Sequence, residues 1–171
     1  MLATPVVAEW AGRARRAAVG SQLLAGLVAF VLLFVPGSFH HRPDPTALAG
    51  YLRAHTTAEQ RVFVWGSYPE VLVRADRLPA GALVHSDFVT GRSGGREDPR
   101  TTLEMAAPGA LVLLIADLRA HPPELVLDTS TADDLGYGNY PMSLFPEVAA
   151  FVEAGYERID QIDGVTIWRR R

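Results

Sequence analysis

Residues 17–39 form an uncharged, strongly apolar run, densest between Leu23 and Val35 and ended by Pro36-Gly37. A helix of that length would extend roughly 34 Å, enough to cross a hydrocarbon core of about 30 Å with some tilt. The pattern then changes. Asp44-Pro45-Thr46 has the form of a helix start, an acidic N-cap followed by Pro at the first helical position. Leu48, Tyr51 and Leu52 share one face of the helix this predicts, which runs to about His55. Residues 61–65, Arg-Val-Phe-Val-Trp, are apolar on both faces, as in a central parallel strand. Gly66-Ser67-Tyr68-Pro69-Glu70 turns into a short helix through about Arg74.

Residues 82–85 predict a second strand, and a Gly- and Arg-rich loop follows over 90–100. Leu111, Leu114, Ile115 and Leu118 mark one face of a helix that begins near Thr101 or Ala110 and ends near Ala120. Pro122-Pro123 stops it, and Leu125-Val126-Leu127 predicts a third buried strand. A helix over 145–154 points Phe145, Val148, Ala149 and Val152 inward. The chain closes on a hairpin, 156–162 and 165–169, joined by Asp163-Gly164, which suits a type I′ turn. Strands alternating with helices predict a small α/β sandwich with a mostly parallel sheet and a C-terminal antiparallel hairpin.

Charge sets an orientation. Arg13, Arg15 and Arg16 stand just before the apolar run, so the positive-inside rule places residues 1–16 in the cytoplasm, 17–39 across the cell (inner) membrane, and 40–171 outside. A cleaved signal peptide is the competing reading. The long stretch ahead of the apolar run and the poor small-x-small pattern of Pro36-Gly37-Ser38-Phe39 favour a retained single-pass anchor, with the lipid bilayer as first partner. Residues 40–171 carry 13 Arg against 18 Asp and Glu, a mildly acidic balance without a basic stripe, which argues against nucleic acid. The absence of Cys excludes disulfides and thiolate metal sites. About 130 residues suffice for one domain with its own core.

Parallel sheets gather ligands in the loops beyond the carboxyl ends of their strands. The candidate binding residues are therefore Trp65, Ser67 and Tyr68 after the first strand, and Asp128, Ser130, Tyr137 and Tyr140 after the third. Asp128 with Asp133 and Asp134 offers carboxylates for acid–base work or a hard cation; the plainer role is a strand-end cap and a solvated turn. Tyr137 and Tyr140 can stack on a sugar or simply cover the sheet. Gly66-Ser67-Tyr68-Pro69 lacks the second Gly of a nucleophile elbow. His40 and His41 are adjacent and cannot share a helical face, while His55, His85 and His121 stand apart. Gly91, Gly94 and Gly95 form no phosphate-binding pattern. No catalytic residue, metal site or cofactor is assigned on this pattern.

Eight stretches in order resemble the C-terminal part of actinobacterial family 39 glycosyltransferases, multi-span membrane proteins akin to protein mannosyltransferases. They are Tyr51-Leu52 before Thr56; Arg61 to Gly66; Pro69-Glu70; Asp76-Arg77-Leu78-Pro79-Ala80; Phe88 with Gly91; Pro122 to Ser130; Tyr137 to Pro146; and Asp163 to Arg169. The resemblance implies sugar transfer from a polyprenyl-phosphate donor, with this domain as the tail outside the membrane. That family's catalytic acid lies in the first outer loop of a multi-span bundle, which has no counterpart here. A basic residue frequent after Pro-Ala in the family is replaced by Gly81-Ala82. The function implied is a non-catalytic tail, auxiliary to or split from a multi-span glycosyltransferase, near a glycan or polyprenyl-phosphate sugar. A stand-alone anchored module that binds an envelope glycan or protein is the second expectation, and an independent enzyme using the three Asp the third.

Overall fold

The computed structural model describes residues 19–31, 44–92 and 98–171. The predicted cytoplasmic segment 1–16, the ends of the predicted span, the His40-His41 linker and residues 93–97 of the Gly/Arg loop lie outside the described residues. Contacts divide the chain into two units, Met1–Phe39 and His40–Arg171. In the first, Val19–Val31 is an apolar helix, α1, exposed at every residue. Among the described residues no single helix is long and apolar enough to cross a membrane.

The second unit is a mixed α/β domain. Helix α2 (Pro45–His55) begins as the sequence predicts, with the Asp44 carboxylate accepting from Thr46 N–H at 2.8 Å and Pro45 opening the first turn. Strand β1 (Arg61–Trp65) and helix α3 (Glu70–Ala75) follow. The second strand is not at 82–85: β2 is the two-residue Leu78–Pro79, and 82–85 are irregular. Pro79 has no N–H and so cannot serve a central strand; it sits on the sheet edge, where Ala80 N–H continues the pairing to Val62 O at 3.0 Å.

Short helices α4 (Asp87–Thr90) and α5 (Pro99–Thr102) precede α6 (Ala110–Ala120). Of the two predicted helix starts, Ala110 is the observed one, and Thr101 falls in a separate first piece, α5. A 3-10 turn, Leu103–Met105, ends the first, and Gly109 at φ 78° starts the second. Strand β3 (Leu125–Asp128), helix α7 (Pro146–Gly155) and the hairpin β4 (Tyr156–Ile162) and β5 (Val165–Arg170) complete the domain. Asp163 (φ 49°) and Gly164 (φ 85°) both take the left-handed conformation that a type I′ turn demands.

The five strands lie in the order β2-β1-β3-β5-β4. β1 pairs in parallel with β2 and β3, while β3–β5 and β5–β4 are antiparallel. The closing hairpin forms the antiparallel edge, and with two parallel and two antiparallel pairings the sheet is mixed rather than mostly parallel. Register sets Val62 beside Leu125 and Val64 beside Leu127. Strand alternation then builds two cores. Val62, Val64, Leu125, Leu127 and Ile167 pack under α2 and α3, while Phe63, Trp65 and Val126 pack under α6, α7 and the segment after β3.

Candidate functional site

The chain after β1 turns to the α3 face, whereas the chain after β3 crosses to the α6/α7 face. Their divergence marks a topological switch point, the usual ligand crevice of an open α/β sheet. Here it is filled. Thr129 Oγ1 donates to Trp65 O at 2.8 Å, lying where a β-carbon on Gly66 would have to sit. Gly66, at φ 141°, gives its N–H to Ser86 Oγ (3.1 Å) and its carbonyl to Ser86 N–H (2.9 Å).

The fold brings Trp65, Tyr137 and Tyr140 together on one face of the sheet, and most of the predicted site residues are covered. Trp65, Tyr68, Tyr137 and Tyr140 are fully buried. Trp65 Nε1 donates to Tyr140 O at 2.8 Å, and Tyr140 hydroxyl bonds Thr102 Oγ1 at 2.7 Å. Tyr68 lies on the opposite face of the sheet, among Val64, Val71 and Leu72. These four rings pack the two cores rather than face solvent. Asp128 takes its plainer role: Oδ1 accepts from Ser130 N–H at 3.0 Å and Ser130 Oγ at 2.5 Å, capping the 3-10 turn Thr129–Ala132. Burial pushes its carboxyl up, partly opposed by the Ser130 hydrogen bonds. Asp133, at φ 53°, accepts from Gly138 N–H at 2.8 Å. Asp134, by contrast, does not begin a solvated turn, because it is fully buried.

A hub that local sequence patterns do not reveal lies beside the switch point. Asp87, at the start of α4, accepts from Tyr137 hydroxyl (2.5 Å) on Oδ1 and from Ser67 Oγ (3.0 Å) on Oδ2. Burial first, and the Asp87 hydrogen bond second, hold the Tyr137 phenol far above its usual range. His85 is not apart, since its Nδ1 faces Asp87 Oδ2 at 3.3 Å and its ring stacks on Phe88 at 4.9 Å. The Arg92 guanidinium lies 5.5 Å over the Tyr137 ring and donates to Leu135 O. His85, Asp87, Phe88, Arg92 and Met105 wall a cavity of about 340 Å³.

The order of partners matters chemically. Asp87 stands between Ser67 and His85, so the serine donates to a carboxylate rather than to an imidazole base. A Ser–His nucleophile pair needs the reverse order. Sequence separations of 20 and 50 residues explain why no local pattern announced the hub.

A second pocket, about 230 Å³, opens on the α7 side of β3 and β5 and is lined by Asp128, Ser130, Ser143, Glu153 and Trp168 among others. The Trp168 indole N–H beneath it is covered and has no hydrogen-bond partner among the described residues. Also among the described residues, no three His, Cys, Asp or Glu side chains are grouped to hold a metal ion. No protein-family model, characterised protein or solved structure matches the chain.

Proposed function

We propose that the chain is a single-pass membrane protein whose domain after residue 39 works outside the cell membrane as a non-catalytic tail of a polyprenyl-phosphate-sugar glycosyltransferase, auxiliary to a multi-span catalytic partner. The observation that supports the membrane part of this reading is helix α1. It is uncharged and, after Ser21 and Gln22, wholly apolar, with Leu23 70 % and Phe30 58 % exposed. A helix of that kind is at home only in lipid or deep within protein. Two features of the domain fit a tail without chemistry of its own. The switch-point crevice is filled by Thr129, and Ser67 is committed to Asp87 rather than to a base.

Membrane extraction followed by pull-down is the direct test. The full chain is expected in the membrane fraction together with a multi-span protein that has an acidic first outer loop. A reporter fused after Arg171 should be active only outside the cytoplasm. The purified chain should neither transfer nor hydrolyse a polyprenyl-phosphate sugar, with or without divalent metal. Metal-dependent turnover lost in Asp128→Asn would replace this reading with an independent enzyme. The pocket beside Asp128, Ser130 and Glu153 favours a second reading, a stand-alone anchored module for an envelope glycan. That reading stands if the chain binds oligosaccharide with no multi-span protein attached.

A further inference from the structure

The pocket between β3, β5 and α7 offers a ligand carboxylates and hydroxyls but no cation. Asp128, Ser130, Ser143 and Glu153 line it, and none of the described residues around it is basic. Asp128 is its buried element, 7 % exposed, with Oδ1 spent on the Ser130 N–H and hydroxyl. Oδ2 accepts no hydrogen bond among the described residues, yet it is not sealed from solvent. The carboxyl is raised by burial, opposed only by the Ser130 bonds, and no neighbouring cation lowers it. The Glu153 carboxylate is likewise unpaired, since Arg171 bonds the Glu153 and Ala154 carbonyls instead. The Trp168 indole N–H is covered and so is not presented. Met142 and Val152 make the remaining wall apolar, and the Trp168 ring adds an aromatic surface of the kind that attracts organic cations.

We propose that this pocket binds a primary ammonium group on a short apolar stem, with Asp128 Oδ2 and the Glu153 carboxylate accepting from the ammonium and the stem lying against Met142 and Val152. The proposal needs neither the anchor nor a glycosyltransferase partner. Charge excludes an anion, which two carboxylates repel. A neutral polyol would form the weaker class of hydrogen bond and leave both charges uncompensated. A guanidinium fork asks for two parallel bonds, but with Oδ1 occupied Asp128 offers one oxygen. The three diverging donors of an ammonium can instead reach separate acceptors. At about 230 Å³ the pocket lies below the roughly 300–1,000 Å³ of sites for drug-sized ligands, so its occupant is one small group.

The test is a titration of the purified, nitrogen-15-labelled full chain with butylammonium chloride at pH 7. The indole N–H resonance of Trp168, assigned by its loss in Trp168→Phe, should move saturably while that of Trp65 stays still. Butanol, which has the same stem without the charge, should bind about tenfold more weakly or worse. Asp128→Asn keeps an oxygen for the Ser130 bonds and puts an amide donor in place of Oδ2, and it should lose about tenfold or more in affinity for butylammonium. Glu153→Gln, on an exposed side chain, is the second variant should the first fail to fold, and a loss of a few-fold is expected. N-acetyl-lysine amide separates the two sources of the group: binding as tight as butylammonium assigns a lysine side chain of a protein, weaker binding a free amine. No saturable shift, an equal response to butanol, or full affinity in both variants would overturn the proposal. Tighter binding of calcium would replace the ammonium with a metal ion, and tighter binding of glucose would overturn the ammonium while favouring the glycan reading.

Discussion

The two faces of the sheet are equally dry but are closed by different means. Under α2 and α3 the core is mainly aliphatic, with Tyr68 buried in it and Tyr51 packed at its margin: Val62, Val64, Leu125, Leu127, Val165 and Ile167 meet Leu48, Leu52, Val71 and Leu72. Regular helices cover it, and they satisfy their own backbones. The other core is aromatic, with Phe63, Trp65, Tyr137, Tyr140, Phe145 and Tyr156, and much of its cover is the irregular stretch between β3 and α7. The short 3-10 turns of that stretch pair some of their own amides and carbonyls, as Tyr140 N–H does with Tyr137 O at 2.8 Å, but such short pieces are also pinned by side chains from elsewhere. Trp65 Nε1 on Tyr140 O, Tyr140 hydroxyl on Thr102 and Tyr137 hydroxyl on Asp87 are those pins. The directional bonds differ in place: on the α2/α3 face they lie at the helix ends, where Arg77 donates to Thr56 Oγ1 at 2.7 Å and to Thr56 O at 2.8 Å, while on the other face they reach into the core itself.

The comparison breaks most severely at Val64, 3 % exposed in the aliphatic core beside Leu127. Val64→Asp places a carboxylate in that mainly aliphatic cluster. The cost, upwards of ~4 kcal/mol, is comparable to the whole stability of a marginal domain. Loss of the cooperative transition in denaturant melts, with the protein partitioning to aggregates, is the expected result. A variant that still melted cooperatively near the wild-type midpoint would mean that this face tolerates polarity and is not sealed as described.

Gly66 lies where the two regions meet. Gly66→Ala combines a backbone at φ 141° with a β-carbon driven into the Thr129 hydroxyl. Strain and overpacking together should cost about 3 kcal/mol. The double variant Gly66→Ala with Thr129→Ala would recover only part of it, because the backbone strain remains. Full recovery would show that the collision alone matters.

The same division explains what the sequence discloses. Periodicity reads the regular elements of both faces well: α2 with its Asp44-Pro45 start, β1, α3, α6 from Ala110, β3, α7 and the Asp163-Gly164 hairpin all lie where apolar spacing and capping residues place them. It fails at 82–85, where Ala-Leu-Val is irregular chain and Leu78-Pro79 pairs instead. Three apolar residues in a row cannot show which of them will find a free sheet edge. It also leaves the Asp87 hub unseen, since Ser67, Asp87 and Tyr137 are brought together by tertiary packing and none belongs to a local motif. The ring at 65 is legible as a covered residue of a central strand, and those at 137 and 140 as cover for the sheet with contact to a ligand as the alternative, because Tyr and Trp serve packing and contact with the same surface.

Tyr137→Phe tests one pin at a time. It keeps the ring in the aromatic core and removes the 2.5 Å bond to Asp87, whose side chain is 22 % exposed and can recruit water. A loss of about 1–2 kcal/mol is expected, smaller than a wholly buried orphan would give. Hydrogen exchange should locate it. Amides between Thr129 and Phe145 should exchange faster while those of α2 and α3 stay protected, since a pin serves only the face it closes. Uniform loss of protection across both faces would erase the distinction between them.

The smallest effect, and the one whose sign is most informative, belongs to Asp128. Its carboxyl is pushed up by burial, with the Ser130 hydrogen bonds opposing. A carboxyl whose folded value is raised contributes stability that is fully present below the ordinary carboxylate range. That contribution is lost as pH rises through the folded value. The ionised form of Asp128 is therefore a charge held in partly desolvated surroundings, against the fold. Asp128→Asn keeps an oxygen to accept from Ser130 N–H and hydroxyl while removing the charge. The expected outcome at pH 7 is a gain of about 1 kcal/mol or less, shrinking to nothing or reversing as pH falls below the ordinary carboxylate range. Melting midpoints of both proteins across that interval read the sign directly. A loss at pH 7 would mean that the ionised form is favoured by a partner in the pocket of Ser143, Glu153 and Trp168, and that this end of β3 is more than a turn cap.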